Sequence, residues 1–137
     1  MKANIGSNTF RLDLSLIFQE RIGDFLFLVG KILAIISTYQ AEQAIMAKLF
    51  NKSPSNDSAY TIAMASWLFF AASIIFAYVA VIRYEEVAAT DPAVSPMTLL
   101  GGKVTAVGNL FKAIGFGLAA IGNQLKANSF TSSGPTI

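Results

Sequence analysis

SAYTIAMASWLFFAASIIFAYVAVI, residues 58–82, runs for 25 residues without a charge. As a helix it would cover roughly 37 Å, more than the ~30 Å hydrocarbon core of a bilayer. Trp67 lies near its middle. Tyr60 at one end, and Tyr78 and Tyr84 at the other, fall where a membrane–water boundary would be. Arg83, Glu85 and Glu86 close the segment. This stretch decides for an all-α fold of membrane type, with a hydrophobic helix over 58–84.

Upstream, NKSPSNDS at 51–58 is a loop, because Pro, Ser, Asn and Asp together favour turns. Asp57 or Ser58 is the expected N-cap of the helix that follows. Before the loop, Phe18, Ile22, Phe25, Val29, Ile32, Ile36, Tyr39, Met46 and Phe50 recur on a 4-3 spacing. That spacing predicts a helix over 18–50, roughly 50 Å long, with its Gln40–Lys52 end projecting into water. Residues 9–16 alternate apolar and polar, a strand period, while Leu12/Leu16 and Leu14/Phe18 are helical i,i+4 pairs. Both readings stand there; a strand would need a partner edge. No apolar run precedes residue 22, so a cleavable signal peptide is not expected.

Downstream, TDPAVSP at 90–96 offers Asp91-Pro92 and Ser95-Pro96, each a capping residue before a proline. A third helix is expected over 96–126, with a flexible tail at 127–137. Its seam of Leu100, Val104, Val107, Phe111, Ile114, Leu118, Ile121 and Leu125 is unbroken, with Lys112, Asn123 and Lys126 assigned to the opposite face. Six glycines between 101 and 122 each cost about 1 kcal/mol relative to alanine. Packing or lipid must hold such a helix. VGNLFKA at 107–113 returns as IGNQLKA at 121–127, two heptads later.

Small residues recur every seventh position in all three segments. The first carries Gly23, Gly30, Ser37 and Ala44; the second Ala59, Ser66, Ser73 and Ala80; the third Gly101, Gly108, Gly115 and Gly122. A seven-residue period keeps one seam facing a partner helix in left-handed packing. Small residues on the seam let backbones approach closely in lipid. These positions are the expected helix-packing interface, with the all-glycine seam as the closest contact.

The chain as a whole is 54% hydrophobic and only 13% charged, with mean hydropathy +0.56. Its charged fraction is about half that of an ordinary soluble domain, so lipid or neighbouring subunits must cover the surface. It has no cysteine and no histidine. That removes thiolate chemistry and the commonest general base and metal ligand. The serines have no histidine to activate them, and the glycine pairs lack the Gly-Lys-Ser/Thr of a phosphate loop. Neither an enzyme, a metal nor a cofactor is expected. The ten Lys and Arg are scattered, which argues against nucleic acid.

Lys31 and Lys112 are candidate pore or headgroup contacts, with Lys126. For Lys31 the simpler account is a snorkelling stem or a pair with Asp24. The expected role is a small integral membrane protein that self-associates or serves as a subunit of a larger membrane complex. An oligomeric pore or holin-like protein is a second reading, and a helical filament or shell with buried apolar helices a third. Lys2, Arg11, Arg21, Arg83 and Lys103 would share one side of the membrane and Lys48, Lys52 and Lys126 the other, so the N-terminus is expected in the cytoplasm.

Overall fold

The computed structural model describes residues 3–90 and 94–132. It consists of α1 (Ala3–Leu49), α2 (Asp57–Thr90) and α3 (Pro96–Ser132). The all-α expectation holds: among the described residues there is no strand. Three helices are long and apolar enough to cross a membrane.

α2 is the central element and packs against both others, while no described Cα of α1 comes within 8 Å of one in α3. The pairs Ser37–Ser58 and Glu20–Arg83 tie opposite ends of α1 and α2, so these helices are antiparallel. Gly102–Tyr84 and Asn123–Ser66 do the same for α2 and α3.

Segment 9–16 is helical, which corrects the strand alternative. The i,i+4 pairs Leu12/Leu16 and Leu14/Phe18 continue α1. Leu16 is fully buried on this extension, while Leu12 and Leu14 are exposed. At the Gln40–Lys52 end most side chains are exposed. Residues 53–57 fold back beside Gln40, Gln43 and Ala44 and leave a shallow, half-open pocket there. Relative to α2, α1 also extends further at its N-terminal end. Seventeen residues precede Glu20 in α1 and seven follow Arg83 in α2, leaving an overhang of about ten residues, or ~15 Å.

α1 stops at a left-handed cap. Asn51 has φ 54°, the N–H of Lys52 donates to the Ala47 carbonyl at 2.8 Å, and that of Asn51 to Lys48 at 3.1 Å. This 6→1 and 5→2 pair satisfies carbonyls that the helix end would leave bare. α2 starts at Asp57, but the cap lies just upstream of the expected Asp57 or Ser58. The Asp57 N–H donates to Ser55 Oγ and the Ala59 N–H to the Asn56 carbonyl. α3 starts at Pro96, with the Thr98 N–H donating to Ser95 Oγ. The Asp91-Pro92 alternative lies outside the described residues.

α2 runs on to Thr90 and α3 to Ser132, beyond the expected 84 and 126. Neither stretch contains Gly or Pro to stop it, and Ala127 is fully buried. Of the tail expected to be flexible over 127–137, residues 127–132 are helical; 133–137 lie outside the described residues.

The buried positions are mostly small: Ala63, Ala65 and Ala72 in α2, and Ala106, Ala113, Ala120 and Ala127 in α3. Large apolar side chains point outward, with Phe18 and Phe25 each 64% exposed and Phe111 70% exposed. Small inside and large outside reverses the order that burial from water produces. It is the order expected where helices associate by close packing in an apolar surrounding.

Candidate functional site

The 4-3 seams of large residues in α1 and α3 face outward, so the small seams do the packing inside. In α1, Gly23, Gly30 and Ser37 are buried and Ala44 half-buried. In α2, Ser66 and Ser73 are buried, with Ala59 and Ala80 half-buried. Ser37 Oγ donates to the Ser58 carbonyl at 2.8 Å across the helix pair. Ser66 and Ser73 return their hydroxyls to the backbone carbonyls of Ile62 and Phe70 in their own helix.

Aromatic rings of α2 fill the spaces that the glycines leave. A β-carbon at Gly23 would stand 2.9 Å from the Phe76 ring, one at Gly30 2.9 Å from Phe69, and one at Gly117 2.9 Å from Phe70. Phe69 also lies 4.8 Å from Phe27 and 5.5 Å from Phe116, ring centre to ring centre. Phe27 and Phe116 meet edge-on at 6.0 Å and so bridge α1 and α3 where the backbones do not touch.

The all-glycine seam behaves differently. Around Gly101, Gly108, Gly115 and Gly122, no atom lies within 4 Å of where a β-carbon would stand. Within this chain that seam is not the closest helix contact; the face of α3 against α2 consists of Ala106, Ala113, Ala120 and Ala127, with Gly102 and Gly117 beside it. These alanines recur at seven residues as strictly as the glycines do. That was the available signal, and the more conspicuous glycines obscured it. In the repeated heptads, Ala113 and Ala127 are buried, Asn109 and Asn123 half-buried, and Gly108 and Gly122 open.

Asn123 does not join a polar outer face with Lys126. Its Nδ2 donates to Ser66 Oγ at 2.7 Å inside the bundle. Next to it, Trp67 Nε1 donates to Gln124 Oε1 at 3.2 Å. Lys31 and Lys126 are exposed. Lys31 forms no ion pair with Asp24, from which two turns of α1, about 10 Å, separate it. Arg83 Nη1 and Nη2 donate to the two Glu20 oxygens at 2.7 and 2.8 Å.

Because α1 and α3 stay apart, a groove of about 660 Å³ opens between them over α2. Its floor includes Phe76, Ala80, Arg83 and Tyr84; Glu20 and Asp24 stand on the α1 wall, and Asn109 and Lys112 on the α3 wall. Lys112 Nζ lies 5.3 Å from the centre of the Phe27 ring and 5.6 Å from that of Phe76. These four charges and the rings beside Lys112 come from three distant segments, so no local pattern in the sequence groups them. Among the described residues no group of three or more Asp or Glu is placed to hold a metal ion. Comparison with protein-family models, curated proteins and solved structures finds no match.

Proposed function

We propose that this chain is an integral membrane protein whose role is assembly, either with copies of itself or within a larger membrane complex. The observation that supports it is the outward glycine seam of α3. Four glycines one heptad apart, each facing open space, leave a smooth track on the face of a helix whose other face is already packed. Glycine weakens a helix by about 1 kcal/mol per residue, so four that fill no internal contact need another explanation. Close approach of a second helix in lipid supplies one.

Substituting Gly108 and Gly115 by leucine tests this. Both sites are open, so the three-helix unit keeps its own contacts while the track is blocked. The expected result is a smaller particle in mild detergent, read by light scattering or native mass spectrometry. An unchanged particle size overturns the reading. Less supports a pore lined by α3, because Asn123 is engaged with Ser66 and Lys112 lies over phenyl rings. A filament in which neighbours cover the apolar faces would pellet without detergent and resist delipidation. The charge distribution supports a cytoplasmic N-terminus, which cysteine labelling near Lys2 in intact cells and in lysed cells distinguishes.

A further inference from the structure

We infer that the groove between α1 and α3 is a phospholipid headgroup site selective for a phosphoethanolamine group. The inference rests on the membrane reading above. The groove lies where the long apolar runs of α1 and α2 end, beside Asp24 and Arg83, and so at the level of lipid headgroups. Its volume, about 660 Å³, is within the ~300–1,000 Å³ range of small-molecule sites. α1 and α3 do not touch along the backbone, so the groove has a lateral opening through which acyl chains can leave. One turn beyond Lys112, the Phe27–Phe116 contact closes it.

Four charges line this space, two of each sign, but they are not paired alike. Glu20 and Arg83 neutralise each other through two hydrogen bonds. Asp24 and Lys112 line the same groove, and neither forms an ion pair with a described residue. Both side chains are exposed to the groove, and a ligand carrying both signs would match both. The phosphate would accept hydrogen bonds from Lys112 Nζ on the α3 wall, with the Asn109 amide nearby. The ligand ammonium would donate to the Asp24 carboxylate on the α1 wall.

The same geometry selects among headgroups. Phe27 and Phe76 already hold the Lys112 ammonium against their faces. The cation of the ligand is left with a carboxylate, which rewards N–H donors. A trimethylated choline has none. A glycerol headgroup brings no cation and leaves Asp24 unmatched.

The full chain in detergent, titrated with phosphatidylethanolamine, phosphatidylcholine and phosphatidylglycerol of identical chains, tests this by native mass spectrometry. The expected result is one phosphatidylethanolamine retained per chain under conditions that strip the other two. Asp24→Asn and Lys112→Gln should each lower retention roughly tenfold, the loss of one charge-assisted contact. Lys48→Gln, exposed at the opposite end of α1 and outside the groove, should leave it unchanged. Equal retention of all three lipids, or no effect of Asp24→Asn and Lys112→Gln, overturns the site. Full displacement of the lipid by free O-phosphoethanolamine at equal concentration overturns the lipid as its source. Alkaline carbonate extraction of membranes separates the two readings. A protein that stays in the pellet but shows no lipid preference removes the groove alone, whereas a protein released to the supernatant removes both.

Discussion

The ring of Phe69 lies against Gly30 so closely that a β-carbon there would stand 2.9 Å from it, and 3.2 Å from the Ala65 carbonyl oxygen. A ring can turn aside, but a backbone oxygen in the middle of α2 cannot. Gly30→Val should therefore push α1 off α2 and cost about 1–3 kcal/mol, the usual range for overpacking. Gly108→Val, which meets open space, should change the stability of the three-helix unit by no more than about 0.5 kcal/mol. Denaturant unfolding in detergent compares the two. Equal losses would mean that both glycines act through backbone conformation and neither through contact.

What the sequence made legible, and what it hid, follows from how much of each feature is local. The uncharged run at 58–82 and the Ser95-Pro96 cap depend on neighbouring residues, and they place α2 and the start of α3. The choice between two heptads of small residues in α3 does not. Ala106 and Gly108 are two residues apart, and nothing in the spacing says which faces α2. The rings decide it. Phe70 and Tyr84 sit over Gly117 and Gly102, which fixes the rotation of α3 and turns Gly108 outward. The groove is less local still, because Asp24, Arg83 and Lys112 come together only once the three helices are aligned.

Asn51 at φ 54° should accept glycine more readily than any branched residue. The left-handed conformation costs an ordinary L-residue roughly 1–2 kcal/mol, and asparagine tolerates it better than most. Asn51→Gly should keep or slightly raise stability, while Asn51→Val should lose about 1 kcal/mol or more, read as the midpoint of unfolding. A valine variant as stable as the parent would mean that the cap is not formed in solution.

Ser66 and Asn123 form a hydrogen bond of 2.7 Å between α2 and α3, and the Ser66 hydroxyl donates its own hydrogen bond to the Ile62 carbonyl. Ser66→Ala removes the acceptor and leaves the Asn123 amide without it; Asn123→Leu removes the donor and leaves the serine satisfied by Ile62. The first substitution should therefore be the more costly. A double-mutant cycle should return a coupling of about 0.6 kcal/mol, at most ~1.7, as for other interhelical hydrogen bonds in lipid. A coupling of zero would show that the two side chains contribute independently.

Arg83 and Glu20 make a two-pronged contact at the edge of the groove, yet their side chains are 45% and 33% exposed. Solvent screens a pair of that exposure, so Glu20→Gln should cost only about 0.2–1 kcal/mol. The loss should shrink in 1 M salt, where the screening length falls to about 3 Å. Exchanging the two residues, Glu20→Arg with Arg83→Glu, keeps the charges opposed and should recover most of the loss. Thermal unfolding of the single variants and of the exchange, at low and high salt, reads all three outcomes. If the exchange is no better than Arg83→Glu alone, then Arg83 acts by packing its stem on α1 and the carboxylate contributes little.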